Sequence, residues 1–185
     1  YTFRELSDLT CRFANLLERR GIGHGDKVAL LLFPSIEFCV SMFGIFRRGA
    51  VVVPCFPLFG PEAVAFRLER SEAKAVVCSR NMNPLIEPEI AARLGLQFIY
   101  SEDLIETLEK VNEDYRWDTD VDSPCMMQFS SGTTGAPKSV FYRHGAITVG
   151  AVVMKLGVGL MPDDTYFCPS SPAWGSRRFH HSRNR

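Results

Sequence analysis

The sequence predicts an α/β protein built on a largely parallel sheet. Three observations point there. Short continuous apolar runs at residues 28–33 (VALLLF), 50–53 (AVVV) and 75–78 (AVVC) read as strands buried on both faces, as parallel strands are. Between them lie stretches with apolar residues three and four apart, the spacing of a helix with one buried stripe. Glycine and proline punctuate the joins. Strands alternating with helices imply right-handed crossovers and neighbouring parallel strands.

Thr2-x-x-Glu5 is a capping box, in which each residue's side chain accepts from the other's backbone N–H, so it opens the first helix. Leu6, Leu9, Phe13 and Leu16/Leu17 follow at helical spacing, and Gly21 stops it. Residues 23–26 turn into the first strand. Ser35 caps a second helix that runs to about Arg48, with Gly49 as its C-terminal glycine. After the second strand come Pro54, Pro57 and Pro61, and Pro61 sits in the first turn of a third helix reaching Arg70. Pro84 and Pro88 interrupt a weaker helical pattern that extends to Leu94. Residues 97–100 read as a fourth strand, 104–111 as a short helix, and the polar, acidic stretch 112–124 as a surface connection. Residues 125–129 are strand-like, 140–142 form a further strand, 146–156 a helix, and 165–168 a last strand.

The chain has 185 residues, with 21 basic and 21 acidic side chains, so net charge argues for no nucleic-acid partner. Four of the arginines (Arg177, Arg178, Arg183, Arg185) fall in the last nine residues, which leaves 17 basic against 21 acidic elsewhere. That ending has no apolar periodicity. Residues 176–185 are therefore expected to form a separate basic tail, disordered or frame-shifted. The six cysteines form no C-x-x-C pair. Most have apolar neighbours and read as reduced, buried thiols of a cytoplasmic protein. The stretch 28–46 contains Pro34 and Glu37 and suits a strand followed by a helix, not a membrane span. No signal peptide is expected.

Chemistry concentrates at residues 129–140, FSSGTTGAPKSV. Glycines let backbone N–H groups converge on an anion, hydroxyls add donors, and Lys138 adds a point charge suited to phosphate. The pattern differs from a Walker A loop, because its glycines are three apart, Pro137 precedes the lysine, and β-forming residues follow. On physics alone the segment is either a polyphosphate cradle or a Ser/Thr/Gly turn.

SSGTTGAPKSV resembles the phosphate-loop motif of the adenylate-forming (AMP-binding) superfamily, roughly Ser/Thr-Ser/Gly-Gly-Ser/Thr-Thr-Gly-x-Pro-Lys-Gly/Ala-Val/Ala. This superfamily includes acyl-CoA synthetases, luciferases and peptide-synthetase adenylation domains. YTFRELSDLTCRFANLLERRGIGHGDKVALLL is similar to the family's early helix and its G-D-x-V-A strand entry. GAVVVPCFPLFGPEAVAFRLERSEAKAVV resembles the strand, loop and helix that end before S-x-A-K. DDTYFCPSSPAWG resembles the segment after the loop. The resemblance covers residues 1–175, as a partial N-terminal adenylation domain. Ser139 departs from it, standing where the family usually has glycine.

The resemblance implies an ATP-dependent ligase that activates a carboxylic acid as an acyl-adenylate and transfers it to the thiol of CoA, with Mg²⁺ as the metal. Ser130, Ser131, Gly132, Thr133, Thr134, Gly135 and Lys138 would then hold the β- and γ-phosphates. Trp174 would lie near the acyl and nucleotide pockets, or else belong to the core. His144, where the family often opens a helix with histidine, is either a structural contact or a proton carrier. The family's adenine, ribose and hinge motifs and its adenylation lysine have no match here, so the chain is expected to be inactive alone. The alternatives are a loading domain of a peptide or polyketide synthetase, or a non-catalytic nucleotide-binding remnant.

Overall fold

In the computed structural model, residues 1–116, 119–130, 137–161 and 163–167 are described. They form a six-stranded sheet in the order β4-β3-β1-β2-β5-β6, where β1 is Lys27–Leu31, β2 Val51–Cys55, β3 Ala75–Cys78, β4 Gln97–Tyr100, β5 Pro124–Ser130 and β6 Lys138–Arg143. Five strands are parallel, and β6 joins the edge antiparallel to β5. The sheet is therefore largely parallel, as its apolar runs predict.

Helices cover both faces. On one face α1 (Phe3–Arg19), α2 (Ile36–Arg47) and α5 (Leu104–Glu109) pack Phe13, Leu17, Ile45 and Leu108 over Val28, Leu30, Val52 and Val77. On the other face α3 (Pro61–Ser71) and α4 (Pro88–Leu94) place Val64, Leu68 and Ile90 over Ala29, Leu31, Val53 and Val76. Alternate residues of each strand feed opposite cores, which is the period-two geometry of an extended chain. Nearly every side chain of β1, β2 and β3 is buried, and this is why those strands read as unbroken apolar runs.

The predicted caps form. Glu5 N donates to Thr2 Oγ1 at 3.2 Å and Thr2 N donates to Glu5 Oε2 at 2.7 Å. Phe38 N donates to Ser35 Oγ at 3.2 Å. Gly49 holds φ at +71°, and a Cβ there would also lie 2.5 Å from the His24 ring, so two independent constraints call for glycine.

Several boundaries differ from the sequence reading. β2 runs on through Pro54 to Cys55. Proline has no N–H for a ladder, and β2 and β5 share a single register pair, Val52 with Met126. The segment broken by Pro84 and Pro88 resolves into a 3₁₀ turn, Arg80–Leu85, followed by α4. α6 starts at His144, two residues before the expected start, and ends at Val153, continuing as a π turn through Met154–Val158. The expected strand at 165–168 is not found in its described part, 165–167. Those residues adopt no regular element, and Tyr166 and Phe167 are exposed; a backbone open to water can satisfy its polar groups without a ladder. Cys168 and the basic tail 176–185 lie outside the described residues.

Candidate functional site

In a parallel sheet the carboxyl ends of all strands share one edge, and ligands of open α/β sheets bind outside it. Here that edge is formed by Leu31, Cys55, Cys78, Tyr100 and Ser130. The connection leaving β1 goes to α2 on one face, and that leaving β2 goes to α3 on the other, so the two chains diverge at this edge. β5 lies next to β2 and ends there at Ser130.

β5 and β6 make a hairpin whose register pairs Met127 with Phe141, Phe129 with Ser139, and Ser130 with Lys138. Ser130 Oγ donates to the Lys138 carbonyl at 3.3 Å. The two ends of the Ser/Thr/Gly loop are thereby held face to face at the carboxyl edge. Both residues are exposed, and the Lys138 ammonium pairs with no carboxylate among the described residues. Of the predicted phosphate-loop residues, Ser130 and Lys138 are placed; Ser131, Gly132, Thr133, Thr134 and Gly135 lie outside the described residues, as does Trp174. Ser139 sits in regular antiparallel pairing, and the one non-glycine residue with positive φ among the described residues is Glu72. A serine in place of the usual glycine thus meets no backbone strain at this position.

Beneath the hairpin lies a cluster that sequence reasoning missed. The Arg67 guanidinium stands 4.0 Å from the centroid of the Phe59 ring and 5.5 Å from that of Phe129, and Phe66 meets Phe129 edge-on at 5.8 Å. The available signal was the density of phenylalanine around one arginine in FPLFGPEAVAFR, residues 56–67.

His144 is placed at the far end of the hairpin. The register sets Pro124 against Arg143 at the amino edge of the parallel strands. Six strand residues separate that edge from Ser130, about 20 Å at the usual rise. A side chain there cannot move a proton at the loop. Its imidazole instead meets the Phe46 ring edge-on at 5.7 Å, and its Nε2 is buried with no hydrogen-bond partner. Burial pulls its pKa below the ordinary value, with Asp120 opposing and His24 reinforcing the shift. Of its two readings, the structural contact is the one this geometry fits. An open cleft of about 470 Å³ at that same edge is lined by Phe3, Leu6, Phe43, Phe46 and His144.

The five described cysteines are free. Burial pushes Cys55 and Cys78 up to about 12 and Cys125 up to about 11, so these are protonated, unreactive thiols at neutral pH. Among the described residues no helix is long and apolar enough to cross a membrane, and no group of three or more His, Cys, Asp or Glu side chains could hold a metal ion.

A largely parallel sheet covered on both faces, with a β-hairpin at its carboxyl edge, defines an α/β domain of the class that binds ligands along that edge. The AMP-binding enzyme family matches residues 1–180, and the chain belongs to that family. It is 31% identical to acetyl-coenzyme A synthetase of Bacillus subtilis (strain 168) over 186 aligned positions, covering 94% of this chain and 32% of that one. Among solved structures it is similar to an acyl-CoA synthetase of Brucella canis, at TM-score 0.80 and 28% identity, covering 94% of this chain and 33% of that one. It is also similar to apo MatB of Rhodopseudomonas palustris, at TM-score 0.80 and 25% identity, covering 89% and 34%. The chain thus spans about a third of the length of the relatives it matches.

Proposed function

We propose that this chain supplies the polyphosphate-holding part of an ATP-dependent carboxylic acid–CoA ligase. The observation that carries the reading is the β5–β6 hairpin, which opposes Ser130 and Lys138 across the mouth of a Ser/Thr/Gly loop at the carboxyl edge. Residues 1–175 form the adenylation part, and 176–185 a basic tail outside it.

In this reaction a carboxylate oxygen attacks the α-phosphorus of ATP. A new acyl O–P bond forms, and the bond to pyrophosphate breaks. The CoA thiolate then attacks the acyl carbon and AMP leaves. The first step brings two anions together and expels a third, so donors aimed at the β- and γ-phosphates lower its barrier. Ser130, Ser131, Gly132, Thr133, Thr134 and Gly135 provide those donors through hydroxyls and backbone N–H groups. Lys138, which pairs with no carboxylate among the described residues, provides the charge. Mg²⁺ characteristically keeps several waters and binds through phosphate oxygens plus one or two protein oxygens, so it needs no protein cage here.

The first test is a titration of this chain with pyrophosphate, followed by backbone NMR. Ser130 and Lys138 amides are expected to shift with a weak constant on the order of millimolar, and no shift at either residue overturns the reading. The second test joins the chain to the remaining two-thirds of its relatives' length and carries Lys138→Ala. Adenylate formation is expected to slow roughly ten- to a hundred-fold, the loss of a charge-assisted contact of about 1.5–3 kcal/mol. Thioester formation from supplied acyl-adenylate should stay nearly unchanged. Equal slowing of both halves would mean that Lys138 supports the fold instead.

A further inference from the structure

Arg67 is half-buried in the middle of α3 and has no carboxylate partner among the described residues. A charge in that position needs another source of stabilisation. Two are visible. Its Nη1 donates to the Ala63 carbonyl at 2.7 Å, one turn back along α3. Its planar guanidinium lies against the faces of Phe59 and Phe129, whose negative quadrupoles attract a cation most strongly where water is excluded. Burial lowers its pKa, with the Cys55 thiol acting the other way.

The two rings belong to different parts of the carboxyl edge. Phe59 sits in the connection after β2, and its N–H donates to the Phe56 carbonyl at 2.9 Å. Phe129 is the residue immediately before Ser130 and pairs with Ser139 immediately after Lys138. Phe66 also meets Phe129, edge to face. One arginine therefore joins α3, the β2–α3 connection and the base of the hairpin through a single planar group. Lysine cannot reproduce that fully, because it is a point charge without a flat face.

We propose that Arg67 is a positioning residue that braces the base of the phosphate loop, fixing Ser130 and Lys138 relative to α3 by clamping Phe129. The loop's role as the phosphate holder rests on the function proposed above; the clamp itself rests on the ring geometry.

The test is amide hydrogen exchange on the full chain. Arg67→Met, which keeps the stem and removes the cation, is expected to speed exchange in segments 127–130 and 138–141 at least tenfold. Amides of 28–30, deep in the sheet, should change less than twofold. Phe129→Leu should have a similar effect, and the double variant should fall short of the sum of the two single effects, since both remove the Arg67–Phe129 contact that they share. Arg67→Lys, which retains a cation over the rings, should return exchange to within about fivefold of wild type. The proposal is overturned by unchanged hairpin exchange, by equal acceleration at 28–30, by additive effects in the double variant, or by Arg67→Lys behaving as Arg67→Met. Pyrophosphate titration of the same proteins separates the two readings. Failure of the wild-type chain to bind pyrophosphate, with the exchange pattern intact, removes the phosphate-loop reading and leaves the clamp. Wild-type binding that survives an Arg67→Met chain with unaltered exchange removes the clamp alone.

Discussion

The region from α1 to α5 and the region from β5 to the π turn use equally apolar sequence in opposite ways. In the first, strands β1 to β3 are covered on both faces, and Phe13, Leu17, Val28 and Leu30 have no exposed surface. In the second, neither β6 nor α6 buries any residue fully. Val149 is 61% exposed and Leu156 78% exposed. A helix apolar on every side is normally an interior helix. The contrast teaches that local sequence sets the element, while the covering depends on how much partner surface is present. The first region carries its own partners within 110 residues. The second does not find them among the described residues.

The largest expected effect tests that contrast directly. Leu17→Ala removes a fully buried side chain between α1 and the sheet, and should lower global stability by about 2–5 kcal/mol in a denaturant titration. Val149→Ala on α6 should stay within about 0.5 kcal/mol. Comparable losses at both positions would mean that α6 is buried in solution, and the contrast would collapse.

Glycines give a finer comparison. A Cβ on Gly44 in α2 would lie 2.6 Å from Phe13 Cδ1, while one on Gly150 in α6 meets nothing within 4 Å. Gly44→Ala forces α1 and α2 apart and should cost about 1–3 kcal/mol. Gly150→Ala has no neighbour to disturb and should stabilise α6 by about 0.8–1 kcal/mol, the intrinsic difference between the two residues in a helix. The Gly150 effect is best read as slower amide exchange within α6, because global unfolding reports mainly on the first region. Faster exchange there would show that α6 packs against something at Gly150.

These positions also show what the sequence reveals and what it hides. The caps at Thr2 and Ser35, the strand at Ala75–Cys78 and the glycine at Gly49 were legible because each depends on neighbours within a few residues. The loop ends were legible because Ser130 and Lys138 lie in one compact motif. The end of α3 was less so: Glu72, not glycine, takes the left-handed conformation there, at φ +53°. Least legible were side chains that reach across the fold. Arg12 Nη1 donates to the Val111 carbonyl at 2.8 Å, 99 residues away, and Arg20 Nη1 to the Phe98 carbonyl at 2.9 Å. Arg67 belongs with these, since its ring partner Phe129 is 62 positions along the chain. Such contacts leave no periodicity, and a surface arginine and a bracing arginine look alike in one dimension.

The smallest effect concerns the junction of the two regions, where His144 at the start of α6 rests on Phe46 near the end of α2. Burial, aided by His24 and opposed by Asp120, holds its pKa below the ordinary 6.5. The unfolded chain then binds a proton more readily than the folded one. The imidazole's contribution to stability is therefore complete above pH 6.5 and is lost as pH falls toward the lower folded value. Protonation would place a charge at a partly buried position, on a ring whose Nε2 has no hydrogen-bond partner there. Between about pH 7 and pH 5, α6 amides next to His144 are accordingly expected to lose protection, while amides of β1 hold theirs. His144→Phe should flatten the profile while keeping the contact with Phe46. Imidazole proton NMR supplies the direct reading, with a titration midpoint below 6.5. A midpoint at or above 6.5 would mean that the ring is hydrated in solution, and that α6 is not seated on the first region through His144.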